Sequence, residues 1–97
     1  MTTRIIIKPK AEDELYAAAE WYEARSPTLG FQFLAEVDAC LDRICDNPRQ
    51  FRFHEAPVRI AHVHRFPFGI FYEHSHESAF IIAVMRLSRR PDRWRTG

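Results

Sequence analysis

The stretch "AAEWYEARSPTLGFQFL", residues Ala18–Leu34, contains the end of one helical pattern, a break, and the start of another. The break is Ser26-Pro27, and serine is favoured at helix N-caps while proline is favoured at the first helical position. We therefore predict that a second helix begins here, with Ser26 as its N-cap. Because the connection is very short, the two helices must lie antiparallel as a helical hairpin.

Apolar spacing extends both helices outward from this break. The first is predicted for Ala11–Arg25, because its apolar residues recur at the i, i+3, i+4 and i+7 spacing of one helix face. The second carries a similar stripe and ends at Asn47-Pro48, since the residue before a proline is biased away from the helical region. The two stripes are Leu15, Ala18, Ala19 and Tyr22, and then Leu34, Val37, Leu41 and Ile44.

Strand patterns flank the helices on both sides. Arg4–Lys8 is short and β-branched, which predicts a first strand buried on both faces. After an irregular segment, three strands are predicted, and the last is apolar on both faces as far as Arg86, which favours a central position. These three are Val58–Arg65, Gly69–His74 and Phe80–Leu87. The prediction is a single α+β domain, residues 1–97, with the order β-α-α-β-β-β and the hairpin on one face of a mainly antiparallel sheet.

Charge is unevenly distributed along the chain. Residues 1–51 carry six basic and nine acidic side chains, whereas residues 52–97 carry eight arginines and four acids. The net charge is +1, so the two halves differ far more than the total suggests. This asymmetry favours an anionic partner for the C-terminal half, although a solvated mixed surface has the same composition.

The cysteines and the apolar runs of the sequence argue against a disulfide-bonded, a metal-binding, a membrane or a secreted protein. Cys40 and Cys45 fall five residues apart in a helical pattern, which suits neither a disulfide nor a shared metal site. The longest apolar run, Ala79–Met85, is too short to cross a bilayer, and the N-terminus lacks the apolar core of a signal peptide. We expect a protein of the reducing cytoplasm that has no membrane contact.

Three phrases of the sequence, in this order, resemble the ParE/RelE toxin superfamily of bacterial type II toxin–antitoxin systems. They are "AAEWYEARSPTLGFQFL" (Ala18–Leu34), "FPFGIFY" (Phe66–Tyr72) and "RRPDRW" (Arg89–Trp94). The long helical hairpin is similar to the ParE-like branch rather than to RelE itself. The resemblance covers nearly the whole chain and implies the same α+β fold.

The resemblance implies one of two activities. RelE-like members cut messenger RNA on the ribosome, whereas ParE-like members poison DNA gyrase without cleaving anything themselves. RNA cleavage needs an acid–base pair and cations. The weak catalytic candidates are Arg65, Arg86, His62 and His64. RelE-like enzymes have a C-terminal Tyr or His where this chain has Trp94, whose indole only donates hydrogen bonds, so we expect no enzymatic activity.

Each of these candidate residues also has a purely structural interpretation, without any role in catalysis or binding. His62 and His64 alternate onto one face of a predicted strand and serve equally well as half-exposed strand residues. A zinc site needs further ligands, and none falls at a suitable spacing, so no metal and no cofactor are predicted. The arginine cluster, in turn, has the composition of a solubilising tail.

The segment "VMRLSRRPDRW", Val84–Trp94, combines arginines with an aromatic residue that is costly to expose. We therefore expect the segment to pack against the domain and to form an ordered basic surface that binds the cellular target. Arginine suits this role because it makes bidentate contacts with carboxylate or phosphate. The predicted target-binding residues are Arg86, Arg89, Arg90, Arg93 and Trp94.

The resemblance also implies a partner, a small DNA-binding antitoxin whose flexible segment folds on the toxin. We expect a hetero-oligomer that reaches DNA only through the antitoxin, in a plasmid-stabilisation type of system. The predicted antitoxin-binding residues are Leu15, Tyr22, Leu34, Arg65 and Tyr72. Two alternatives stay open: a ribosome-dependent endoribonuclease of RelE type, and an inactive binding domain that acts only in autoregulation.

Overall fold

Two helices and five strands make up residues 3–87, the part of the chain that this computed structural model describes. Their order confirms the predicted α+β class, with one short strand more than the sequence indicated. The elements are β1 (Arg4–Ile7), α1 (Pro9–Arg25), α2 (Leu29–Asp46), β2 (Phe53–Glu55), β3 (Val58–His62), β4 (Phe68–Ser75) and β5 (Ser78–Arg86).

The strands form one sheet in the order β1-β5-β4-β3-β2, in which β1 runs parallel to β5 and every other pair is antiparallel. The apolar strand β5 is central, as predicted. β1 lies at an edge and its residues are exposed or half-buried, so the prediction that it is buried on both faces was wrong. The short strand β2 was missed because all three of its residues are exposed and carry no apolar alternation.

The junction between the helices differs from its sequence prediction. Ser26 caps the C-terminus of α1, where its N–H donates to the Tyr22 carbonyl, and α2 begins three residues later, at Leu29. The reason is Glu23, whose carboxylate accepts the N–H groups of Thr28 at 2.8 Å and Gly30 at 2.9 Å. A side chain from α1 therefore satisfies the helix start that the sequence assigned to Ser26.

The hairpin covers one face of the sheet, and aromatic rings fill the space between them. The rings of Phe33 and Tyr22 lie 5.3 and 4.8 Å from that of Phe66, mostly edge to face. Tyr72 is fully buried beneath them and donates its hydroxyl hydrogen to the Pro48 carbonyl. Burial raises the pKa of Tyr72 to about 12 and that of Cys40 to about 11, so both are neutral core groups at pH 7.

The opposite face of the sheet carries a smaller apolar cluster. Ile60, Phe71 and Ala83 are its buried members. Three half-buried residues pack against them: Val58, Ile82 and Leu87.

Candidate functional site

A groove separates α1 from the last residues of β5, and we call it the α1–β5 groove. Its volume is about 480 Å³. Apolar atoms form most of its wall, while Glu14 lies at one end and Arg86 at the other. The apolar lining residues are Ala17, Ala18, Trp21, Phe68, Val84 and Met85.

Trp21 lines this groove and is 45% exposed. The guanidinium carbon of Arg25 lies 3.4 Å from the centre of the indole ring, and that of Arg86 lies 5.7 Å from it. Arg25 is further held by a hydrogen bond to the Trp21 carbonyl. Two cations thus share one aromatic ring at the rim of an apolar groove, an arrangement suited to an acidic and apolar ligand.

Arg86 is exposed at the end of β5. It lies at the rim of the α1–β5 groove. Within residues 3–87 it forms no ion pair, and its contact is the Trp21 ring. Its position at the rim lets it pair with an anionic ligand in the groove.

The edge of β5 is open along this groove. β1 pairs with β5 only from Ser78 to Ile81, whereas β5 continues to Arg86. Beyond that pairing, the Val84 N–H donates to the Glu14 carboxylate at 2.8 Å instead of to a strand. A helix carboxylate thus occupies a backbone donor that an added strand would use.

Glu14 accepts a second hydrogen bond, from Lys10 at 2.8 Å. Burial raises the pKa of its carboxyl, but the hydrogen bonds from Lys10 and Val84 and the Lys10 charge outweigh burial, so the pKa lies below its ordinary value of 4.5. The charged form is the one that binds both donors, so acid weakens this contact.

We expect the stability that Glu14 contributes to be complete above pH 4.5 and to disappear as the pH falls through the lower pKa of the folded state. Chemical unfolding at a series of acidic pH values measures this dependence. In Glu14→Gln the dependence should be shallower than in the parent chain, whereas Glu12→Gln, an exposed change in the same helix turn, should leave it unaltered. Equal slopes in all three proteins contradict the assignment.

The four catalytic candidates do not converge. His62 ends β3 and His64 lies beyond the strand, so the two histidines do not share a strand face as predicted. The Arg65 side chain turns to α2, where it donates to Gln32 at 2.9 Å and pairs with Glu36 at 3.6 Å. Its positive φ of 74° shows a chain bend that these contacts hold. Arg86 contacts α1 instead.

His62 and Arg86 lie at the same end of the sheet, but β4 runs between their strands. At the usual strand spacing their backbones are about 10 Å apart. Both histidines are exposed. Among residues 3–87, no three His, Cys, Asp or Glu side chains are grouped closely enough to hold a metal ion.

The predicted antitoxin-binding residues divide by burial. Leu15, Tyr22 and Tyr72 are at most 8% exposed and belong to the core. Leu34 is half-buried and lines a second groove, between α1 and α2 on the outer side of the hairpin. Arg65 is exposed but bound to α2.

This second groove, which we call the outer hairpin groove, has a volume of about 530 Å³. Phe31 is 78% exposed and Tyr16 55% exposed along it, beside three carboxylates, those of Asp13, Glu20 and Glu23. It is thus aromatic and acidic, whereas the α1–β5 groove is apolar and carries two arginines at its Trp21 end and the Glu14 carboxylate at the other.

Four of the predicted target-binding residues, Arg89, Arg90, Arg93 and Trp94, lie outside the described residues. Of the eight residues that line the α1–β5 groove, only Arg86 was predicted as a site residue, and Glu14, Trp21 and Met85 are among the seven that were missed. A signal was present for four of them, because Glu14, Ala17, Ala18 and Trp21 follow the i, i+3, i+4 and i+7 spacing of one helix flank, beside the core stripe. No described helix is both long enough and apolar enough to span a membrane.

Comparison with known proteins identifies the family. Residues 5–94 match the family model of the ParE toxin of type II toxin–antitoxin systems, parDE. A solved structure described as a chromosomal ParDE toxin–antitoxin system from P. aeruginosa shares the fold with a TM-score of 0.78 at 18% sequence identity. The alignment covers 89% of this chain and 97% of that one. No curated protein matches the sequence. The match over residues 5–94 confirms the resemblance seen in the sequence, and the chain belongs to the ParE toxin family of type II toxin–antitoxin systems.

Proposed function

We propose that this chain is a toxin that acts on DNA gyrase and that a cognate antitoxin neutralises it by direct binding in the α1–β5 groove. The observation that carries the antitoxin site is the position of Arg25 and Arg86 on the Trp21 ring, at the rim of that apolar groove. Family membership supports the toxin role.

The groove suits a partner segment that carries both apolar and acidic side chains. Apolar anchors would pack on Trp21 and Phe68, and carboxylates would pair with Arg25 and Arg86. The outer hairpin groove has exposed aromatic rings but is flanked by Asp13, Glu20 and Glu23, which would repel an acidic segment. Charge therefore favours the α1–β5 groove.

Occupation of this groove also explains neutralisation. Arg86 is the described member of the predicted target-binding set, and it lies at the groove rim. An antitoxin bound there would cover Arg86 and compete with the target for the same charge. The expected complex is a hetero-oligomer in which DNA is contacted through the antitoxin.

The geometry favours a binding toxin over an RNA-cleaving enzyme. Acid–base cleavage needs both proton-transfer groups within hydrogen-bond reach of one scissile phosphate, about 3 Å. The Arg65 side chain is committed to Gln32 and Glu36, while β4 separates His62 from Arg86. We therefore assign no catalytic residue.

Three measurements on one set of strains test the proposal. Expression of the chain should arrest growth, co-expression of the neighbouring open reading frame should restore it, and the purified chain should inhibit supercoiling by purified gyrase. Arg86→Ala should weaken gyrase inhibition about tenfold, while Arg4→Ala, an exposed arginine on β1, should not.

Two outcomes would overturn it. Primer extension that maps cleavage between codons after induction would identify a ribonuclease of RelE type. Normal growth at high expression, together with a stable antitoxin complex, would identify an inactive binding domain.

A further inference from the structure

A row of alternating arginine and phenylalanine side chains lies where α2 ends beside β2 and β3, away from the α1–β5 groove. We call it the arginine–phenylalanine ladder, and it consists of Arg43, Phe51, Arg59 and Phe53. Arg43 belongs to the last turn of α2, while Phe53 and Arg59 are paired across β2 and β3. Three elements thus bring these four residues together.

Distances show that the ladder is contiguous. The guanidinium carbon of Arg43 is 6.0 Å from the ring centre of Phe51, and that of Arg59 is 4.0 Å from the ring centre of Phe53. Arg59 Nη1 donates to the Phe51 carbonyl at 2.6 Å, and Arg43 Nη2 donates to the His62 carbonyl at 3.4 Å. Rings and carbonyl oxygens therefore fix both guanidinium groups in place.

These arginines form no ion pair with a carboxylate among residues 3–87. The two ion pairs described there join Lys10 to Glu14 and Arg65 to Glu36, on other surfaces. Arg49 and Arg52 are exposed in the same segment and are likewise unpaired within the described residues. Four fixed or exposed guanidinium groups that form no ion pair within residues 3–87 offer a binding surface for an anion with several charges.

Phe53 indicates which kind of anion this is. It is 50% exposed, although its ring contacts Arg59. A partly exposed ring beside arginines is the arrangement on which single-stranded nucleic acids bind, since bases stack on the ring and phosphates contact the cations. An acidic peptide would satisfy the arginines but would place no planar group on the ring.

We propose that the arginine–phenylalanine ladder binds single-stranded nucleic acid, with a base stacked on Phe53 and the backbone phosphates on the arginines. Duplex nucleic acid fits less well, because its bases are already stacked on one another and offer no free face to the Phe53 ring on β2. This binding site is separate from the α1–β5 groove and independent of the proposed action on gyrase.

Fluorescence anisotropy of the full chain with a labelled oligothymidylate of about twelve nucleotides tests the site. The double variant Arg49→Ser/Arg52→Ser should lose about tenfold in affinity, and the slope of log affinity against log salt should fall by about 1.4. The matched control is Arg4→Ser/Lys8→Ser, which removes two exposed charges at the opposite edge of the sheet. Its affinity should equal that of the parent chain.

A second pair of variants tests stacking. Phe53→Ala should reduce affinity for the single strand at least fivefold and leave duplex binding unchanged, whereas Phe31→Ala, on α2, should alter neither. Thermal unfolding of each variant confirms that it folds.

Three results would overturn the site. The first is equal loss in both double charge variants, which places binding elsewhere. The second is a Phe53→Ala variant that binds the single strand as tightly as the parent chain does. The third is poly-glutamate that competes as well as the oligonucleotide, which points to an acidic protein partner instead.

Discussion

Gly30→Ala is expected to destabilise the fold by about 2–4 kcal/mol, because it pushes the two helices apart at their closest approach. A Cβ atom at Gly30 would lie 2.4 Å from the Ala19 carbonyl oxygen, which belongs to the α1 backbone and cannot rotate away. The same atom would lie 3.0 Å from the Cβ of Glu23, whose carboxylate accepts the N–H groups of Thr28 and Gly30. The higher helix propensity of alanine returns only about 1 kcal/mol.

Urea unfolding followed by circular dichroism measures the change. Gly69→Ala is a matched control in the sheet, since its added Cβ would meet the Cδ1 atom of Ile60 at 3.0 Å, the end of a side chain that can move. We expect the control to lose much less stability than Gly30→Ala. Equal midpoints for Gly30→Ala and the parent chain would show that the helices separate at no cost.

Trp21→Ala is expected to weaken antitoxin binding by about thirtyfold or more, the usual effect of removing an aromatic hot spot. Trp21 is the largest side chain that lines the α1–β5 groove, and its ring contacts both Arg25 and Arg86. Its removal takes away the ring that both guanidinium groups contact and also removes apolar surface from the wall of the groove. Stability should change little, because the side chain is 45% exposed.

Tyr16→Ala is the control for this prediction. Tyr16 is an equally prominent aromatic residue of α1, 55% exposed, but it lines the outer hairpin groove. Calorimetric titration with the purified antitoxin should show a large loss for Trp21→Ala and almost none for Tyr16→Ala. The reverse pattern would place the antitoxin on the outer hairpin groove and refute the proposed site.

The spacing of apolar residues correctly predicted the helices and strands that bury one face along their length. Both helices, and β3, β4 and β5, were placed within about three residues, because their apolar stripes face one core. β2 was missed because its residues are exposed and only pairing with β3 defines it. Ser26 was wrongly predicted as the N-cap of α2, because the carboxylate that accepts the first N–H groups of this helix belongs to Glu23. Glu23 lies five residues before Thr28 and seven before Gly30, in the preceding helix, and such hydrogen bonds leave no periodic pattern in the sequence.

Fewer features of the candidate site than of the fold could be predicted from the sequence. Arg86 was predicted to belong to a basic surface, and its side chain is exposed at the end of β5. Leu15, Tyr22 and Tyr72 were expected at a partner surface but are core residues, since an apolar stripe does not show which of its members face outward. The stacking of Arg25 and Arg86 on one ring joins two distant parts of the chain, which no local pattern reveals.

The pairing of β1 with β5 has a consequence for the order of folding. The first strand of the described chain finds its partner in the last, so this pairing closes nearly the whole chain into one loop. Contacts of such long range form slowly, after the helical hairpin and the β3–β4 pair have had time to assemble locally. Since Val84, Met85 and Arg86 form one wall of the α1–β5 groove, a growing chain lacks that groove until its last strand is made. An antitoxin that binds there can recognise only a toxin whose sheet is complete.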